Sequence, residues 1–195
     1  MKRASMQSWL CASALLFATA GIVRVQSAWT KAEAQIQRHN ETTLAGLRPG
    51  QSTLGQAQKL YPLGDSAVRI GTSRLTDPCS HLMLALDTGA GRVIQDVHVE
   101  LNESISGTCE TNRGPQWATG RGLHAGDPAE RAVSLYGEPN SRSPSTKNGQ
   151  PLELMYYAFD WAGPDVPQVM EVVCTAPKHG TRGRVMEITL AAGSL

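Results

Sequence analysis

The chain has 195 residues, 41% of them apolar, with 18 Lys and Arg against 17 Asp and Glu for a formal charge of +1. That apolar content suffices for one ordinary core or two small ones and excludes a disordered or fibrous chain. No basic run exceeds a pair, so the electrostatic footprint that nucleic-acid binding requires is missing.

Residues 1–28 differ in kind from the rest. Lys2 and Arg3 precede an uncharged run from Trp9 to Phe17, and Ala18-Thr19-Ala20 offers the small residues at which a signal peptidase cuts. The pattern predicts a secretory signal peptide. The alternative is an uncleaved membrane anchor over residues 6–23, at the lower edge of the ~17–25 residues that a spanning helix needs. Either reading puts the folded part outside the cytoplasm, periplasmic or secreted. Leu10 stands where a lipid-modified cysteine would be preceded by a small residue, so Cys11 is not read as a lipoprotein cysteine.

Residues 29–45, with Trp29, Ala32, Ala34 and Ile36 among charged positions, read as a weak helix or a tether. A first unit, residues 46–101, opens at Gly46-Leu47-Arg48-Pro49-Gly50. Ser52 then caps a helix with apolar positions at Leu54, Ala57, Leu60 and Tyr61, and Pro62 and Gly64 stop it. Three strands follow: a short one over residues 67–72, one with Leu82, Leu84 and Leu86 on a single face, and one with Val93, Gln95, Val97, Val99 and Leu101 opposite Asp96, His98 and Glu100. Such alternation predicts a sheet with one wet face. Between the last two runs, Asp87-Thr88-Gly89-Ala90-Gly91 has the composition of a hairpin turn.

The polar residues 102–121 predict a connecting loop. A second unit, residues 122–192, opens at Gly122-Leu123-His124-Ala125-Gly126, and Asp127-Pro128-Ala129-Glu130 has the makings of a capping box with proline at the first helical position. Ala129, Ala132, Val133 and Tyr136 face inward on that helix, and Gly137-Glu138-Pro139 ends it. Strands are expected at 152–161, 169–175 and 184–191, where Met186, Ile188 and Leu190 alternate with Glu187 and Thr189. Gly183-Arg184-Val185 answers Gly91-Arg92-Val93 of the first unit. The second copy is longer, and its extra residues are expected in polar loops over 140–150 and 162–168. These landmarks predict an α+β protein of two tandem units, each a short helix packed on its own antiparallel sheet.

In an oxidising compartment the cysteines read as structural. Cys79 precedes one strand-like run and Cys109 follows the next, so a hairpin brings them together and a Cys79–Cys109 disulfide is expected. Cys174, on the face of Met170 and Val172, reads as a buried thiol.

A short helix entered through Gly-Leu-x-x-Gly, left through Gly-x-Pro and followed by antiparallel strands resembles a unit shared by two families. They are the small outer-membrane assembly lipoproteins of the SmpA/OmlA type and the β-lactamase inhibitor proteins, and the resemblance covers roughly residues 44–192. Gly126, Asp127, Leu135, Gly137 and Pro139 carry it in the second copy, whereas Pro62-Leu63-Gly64-Asp65 replaces the Gly-x-Pro ending in the first. The resemblance implies a binding module that is not an enzyme, uses no cofactor and takes another extracytoplasmic protein as its partner. In the inhibitor family a concave, aromatic-rich sheet covers the target, and Trp117, Tyr157, Phe159 and Trp161 are the residues here that would supply such a surface. Tyr157, Phe159 and Trp161 share one strand face and Tyr156 lies on the other; the alternation leaves open which face is core.

A rival motif is Leu84-Ala85-Leu86-Asp87-Thr88-Gly89-Ala90, which resembles the active-site loop of retroviral-type aspartic peptidases. That chemistry needs two aspartates sharing one proton, so a homodimer would have to bring a second Asp87. The hydrophobic-hydrophobic-Gly segment that follows in those enzymes has no convincing match after Val93, and Asp, Thr and Gly are ordinary turn residues. Other catalytic motifs are absent from the sequence, and His81, His98 and His124 stand singly. Even if His81 and His98 met across the hairpin, two nitrogens would not specify a metal.

Overall fold

The computed structural model describes residues 40–61, 71–108, 117–159, 168–176 and 183–192. The expected signal or anchor segment, most of the tether, Cys109 and Trp161 lie outside these residues. In chain order the elements are α1 (Leu54–Leu60), β1 (Thr72–Asp77), β2 (Leu82–Thr88), β3 (Ile94–Leu101), α2 (Ala129–Tyr136), β4 (Ser141–Lys147), β5 (Gln150–Ala158), β6 (Gln168–Thr175) and β7 (Val185–Ala192). A short 3-10 turn at Ala90–Arg92 separates β2 from β3.

The strands form one seven-stranded antiparallel sheet in the order β1-β2-β3-β7-β6-β5-β4. This corrects the expected architecture of two tandem helix-on-sheet units. Two sheets would each have left a bare edge of unpaired N–H and C=O groups, at β3 and at β7, and both strands are lined with buried apolar residues. Pairing them, with Val97 opposite Leu190 and Val99 opposite Ile188, removes both edges. The helices have 7 and 8 residues, and at ~1.5 Å per residue neither is long enough to cover a sheet of its own. A single core results. Leu84, Leu86, Val97, Val99, Met155, Met170, Val172 and Ile188 from the sheet pack against Leu44, Leu47, Leu54, Ala57, Leu123 and Ala132 from the segments that cross it.

The duplication survives locally, in how each half meets the sheet. Gly46, Gly50, Gly122 and Gly126 all have φ between 69° and 99°, the left-handed region that a side chain disfavours, which is why this turn repeats its glycines. The Gly50 N–H donates to the Ile94 carbonyl at 2.7 Å, and the Gly126 N–H donates to the Val185 carbonyl at 2.7 Å. Leu47 and Leu123, one from each turn, are both buried.

Glu41 ties these two turns together. Its side chain is buried, and Oε1 accepts the Thr42 N–H at 2.7 Å and the Thr43 N–H at 3.1 Å. Oε2 accepts the Arg121 N–H at 3.0 Å and the Tyr136 hydroxyl at 2.8 Å. Beside it the Gly120 N–H donates to the Thr43 carbonyl.

The helix starts differ from the sequence expectation. Thr53, not Ser52, caps α1, in a reciprocal capping box with Gln56, while the Ser52 hydroxyl accepts the Arg48 N–H. Pro128 precedes α2 with no side-chain cap. Asp127 instead accepts the His124 N–H at 2.9 Å and pairs with Arg131 at 3.1 Å. Of the first helix's expected inward residues, Leu60 is exposed.

The larger omission is β4, read from sequence as part of the polar loop over 140–150. Every one of its residues is exposed, so no apolar alternation marks it. It forms a sheet edge, with Pro144 opposite Glu153 of β5. Lacking an N–H, Pro144 interrupts the donors available along this edge, and Arg142 and Lys147 flank it with charge. Pro144→Val is therefore expected to let edges of two molecules pair. Sedimentation should show larger species growing with concentration relative to the parent protein; identical sedimentation at every concentration would remove the protective role from Pro144.

Candidate binding face

One face of the sheet lies under the helices and entry turns; the other carries the polar halves of the alternating strands. Strand register places Asp87 opposite Asp96, and His98 between Ala85 and Thr189. Farther along the same face come Glu100 opposite Glu187, Glu171 between Thr189 and Tyr156, and Arg74 on β1. This is the wet face that the alternation of Asp96, His98 and Glu100 foretold. The His98 Nδ1 is 2.8 Å from the Thr189 hydroxyl and its Nε2 is 3.7 Å from Glu100.

The sheet curls over this face at one end. Four strand steps separate β4 from β3, about 19 Å if flat, yet Lys147 at the end of β4 brings its Nζ to 2.7 Å from Glu100 of β3 and 2.5 Å from Glu187 of β7. The β4–β5 hairpin must bend inward to make that contact, following the usual sheet twist. Leu152, which shares a strand face with Leu154 and Tyr156, is buried. Between the hairpin and β3–β7 lies a cavity of about 270 Å³ whose lining includes Glu100, Asn102, Lys147, Gln150, Leu152 and Glu187.

Asp96 has the most perturbed carboxyl on this face. Burial raises its pKa from 3.8 to about 6, with His98 pulling it down and Asp87 and Glu171 adding to the rise. A carboxyl whose folded value exceeds its unfolded value binds protons better when folded. The stability it contributes is full below 3.8 and is lost as pH rises through about 6. Asp96→Asn is thus expected to add about 1–2 kcal/mol at pH 7, discounted for partial solvation. Urea unfolding at pH 5 and pH 7 tests this: the variant should lose part of the parent's pH dependence, and an unchanged slope would refute the assignment.

The aromatic residues expected to form a recognition surface are elsewhere. Trp117, Tyr157 and Phe159 are buried in the core, which withdraws them from any surface role. Trp117 meets Tyr61 edge-on at 6.2 Å. Tyr136 stacks at a tilt on Tyr157 at 5.8 Å and on Phe159 at 6.4 Å. Burial raises the phenol pKa of both Tyr136 and Tyr157. Tyr156, on the opposite strand face, is the half-buried aromatic beside Glu171.

Asp87 is exposed at the end of β2 and accepts the Thr72 hydroxyl at 2.9 Å. The carboxylate across from it belongs to Asp96 and to no second Asp-Thr-Gly turn. His81 and His98 are not brought together, His81 lying in a turn with its Nδ1 3.0 Å from the Ile105 carbonyl. Among the described residues no group of three metal-ligating side chains is close enough to hold an ion. Cys174 is a free, buried thiol whose pKa burial pushes up to about 12, which keeps it unreactive at neutral pH. Cys79 is disulfide-bonded; its expected partner, Cys109, is outside the described residues.

Sequence reasoning did not single out Asp96, Glu100, Lys147, Glu171 or Glu187 as a site. The alternation in β3 and β7 was the available signal, and it marks a solvent face without saying what binds there.

No family model matches the chain, and no curated protein matches it. Among solved structures it is similar to a DUF4309 family protein (YjgB) from Bacillus subtilis subsp. subtilis str. 168, at 11% identity and a TM-score of 0.47, covering 83% of this chain and 92% of that one.

Proposed function

We propose that this chain is a non-enzymatic, extracytoplasmic protein-binding module that takes a basic segment of another protein on the open face of its sheet. The observation that carries the reading is charge. Asp87, Asp96, Glu100, Glu171 and Glu187 share that face with Arg74, Lys147 and His98, in a chain whose overall charge is +1. A concave, low-dielectric wall concentrates such a field and favours a cationic partner. The secretory pattern of residues 1–28 and the disulfide state of Cys79 support an oxidising compartment.

Capture from the source envelope and secreted fractions with C-terminally tagged protein tests the reading. A partner should be recovered at low salt, and the double variant Asp87→Lys, Glu171→Lys should weaken it by about tenfold or more with an unchanged melting temperature. A partner held equally well by that variant would move the site off this face. The two roles suggested by the sequence resemblance differ in what is recovered: a soluble enzyme for an inhibitor, outer-membrane components for envelope assembly. Proteolysis in the acid range, abolished by Asp87→Asn, would replace binding with the homodimeric peptidase reading.

A further inference from the structure

We infer that the cavity beneath the β4–β5 hairpin is a receptor for a lysine side chain of the bound partner, and that Lys147 occupies it as an internal stand-in when the partner is absent. The inference deepens the binding reading above and rests on it for the existence of a partner.

An ammonium already sits at this spot. Glu100 and Glu187 project from neighbouring central strands, their side chains only 15% and 17% exposed, and both contact the Lys147 Nζ. The lysine differs from them in attachment. It is 45% exposed and comes from the end of a strand that has no buried residue, next to the hairpin turn at Asn148-Gly149. The two carboxylates are thus fixed by the middle of the sheet, while their countercharge is carried by its most weakly packed element.

The remaining lining suits the same kind of ligand. Leu152, on the same strand face as the two carboxylates, offers apolar wall for a four-carbon stem, and Ser104 and Gln150 offer acceptors in the lining. Glu103 at the rim has its own partner in Arg184 at 4.0 Å, but Glu100 and Glu187 share the single ammonium of Lys147, which leaves the cavity negative. An incoming lysine that displaces Lys147 exchanges one ion pair for another and releases the hairpin's hold on the open face. Binding in the cavity and access to the surrounding sheet are thereby coupled.

The probe is the blocked peptide acetyl-Ala-Lys-Ala-amide, with its Gln counterpart as control, titrated into the folded protein and followed by amide NMR shifts. Lys147→Met should bind the lysine peptide about tenfold more tightly than the parent, the size of one displaced ion pair. Shifts should centre on Asn102, Gln150 and Glu187, with none produced by the Gln peptide. Adding Glu187→Gln to Lys147→Met should abolish the gain. Equal affinity in parent and Lys147→Met, shifts centred outside the cavity, or no saturable binding to either protein would each overturn the inference. Spectral dispersion reports folding in the same experiment, and Lys147→Ala serves if the Met variant is not native. Because no natural partner enters the assay, failure here is separable from failure of the capture experiment.

Discussion

Glu41→Ala is expected to lower the unfolding free energy by about 2–4 kcal/mol, the range for taking a charged acceptor away from several partly buried donors. The carboxylate is 2% exposed and accepts three backbone N–H groups and the Tyr136 hydroxyl. Alanine removes the acceptor of the Thr42, Thr43 and Arg121 N–H groups, while the Tyr136 hydroxyl keeps Thr119 Oγ1 at 2.6 Å; each donor left without a partner costs about 1–3 kcal/mol. Gly120 packs closely on this clasp: a Cβ at that position would lie 2.6 Å from the Thr43 hydroxyl and 2.7 Å from Glu41 Oε1. Glu41→Gln should fall between, since its amide nitrogen can receive neither the Arg121 N–H nor the Tyr136 proton. Urea unfolding monitored by tryptophan fluorescence gives the values. A loss under about 1 kcal/mol for Glu41→Ala would show that the clasp is replaceable by solvent.

Tyr157→Ala is expected to destabilise the protein by about 3–5 kcal/mol, the usual penalty for emptying a large aromatic site in a core. The ring is fully buried, packs on Tyr136 and lies opposite Met170 in the sheet. Thermal unfolding decides between two roles. A melting temperature lowered by about 6–20 °C, as that loss implies for a domain of this size, confirms a packing role. A native melting temperature with lost partner capture would return Tyr157 to a recognition surface, against its observed burial.

What the sequence disclosed depended on whether one face of an element is dry. The strands carrying Leu84, Val97, Val172 and Ile188 were legible because apolar and polar residues alternate there. β4 was not legible, because Ser141–Lys147 touches solvent on both faces and leaves no period to detect. Period two also groups Tyr157 with Phe159 without saying which group is inside, so the aromatic cluster was ambiguous until burial was known. The glycine turns were recognised correctly as a repeat, but a repeat says nothing of whether two sheet edges will meet. The pairing of Val99 with Ile188 is a long-range choice with no local signature. The binding face was half visible: β3 displayed its polar row, whereas the approach of Lys147 depends on sheet curl, which sequence patterning does not encode.

The position of β7 between β3 and β6 has a consequence for how the chain is made. It is the last of the described strands to leave the ribosome or a translocation channel, yet it occupies the centre of the sheet. Until it arrives, β3 and β6 are two raw margins, each with an apolar side and each able to pair with a foreign strand. Closure then joins residues far apart in the chain, a slow step by its contact order. The nascent protein therefore passes through an interval in which the other six described strands exist and its central seam does not, and a holding chaperone would act in that interval.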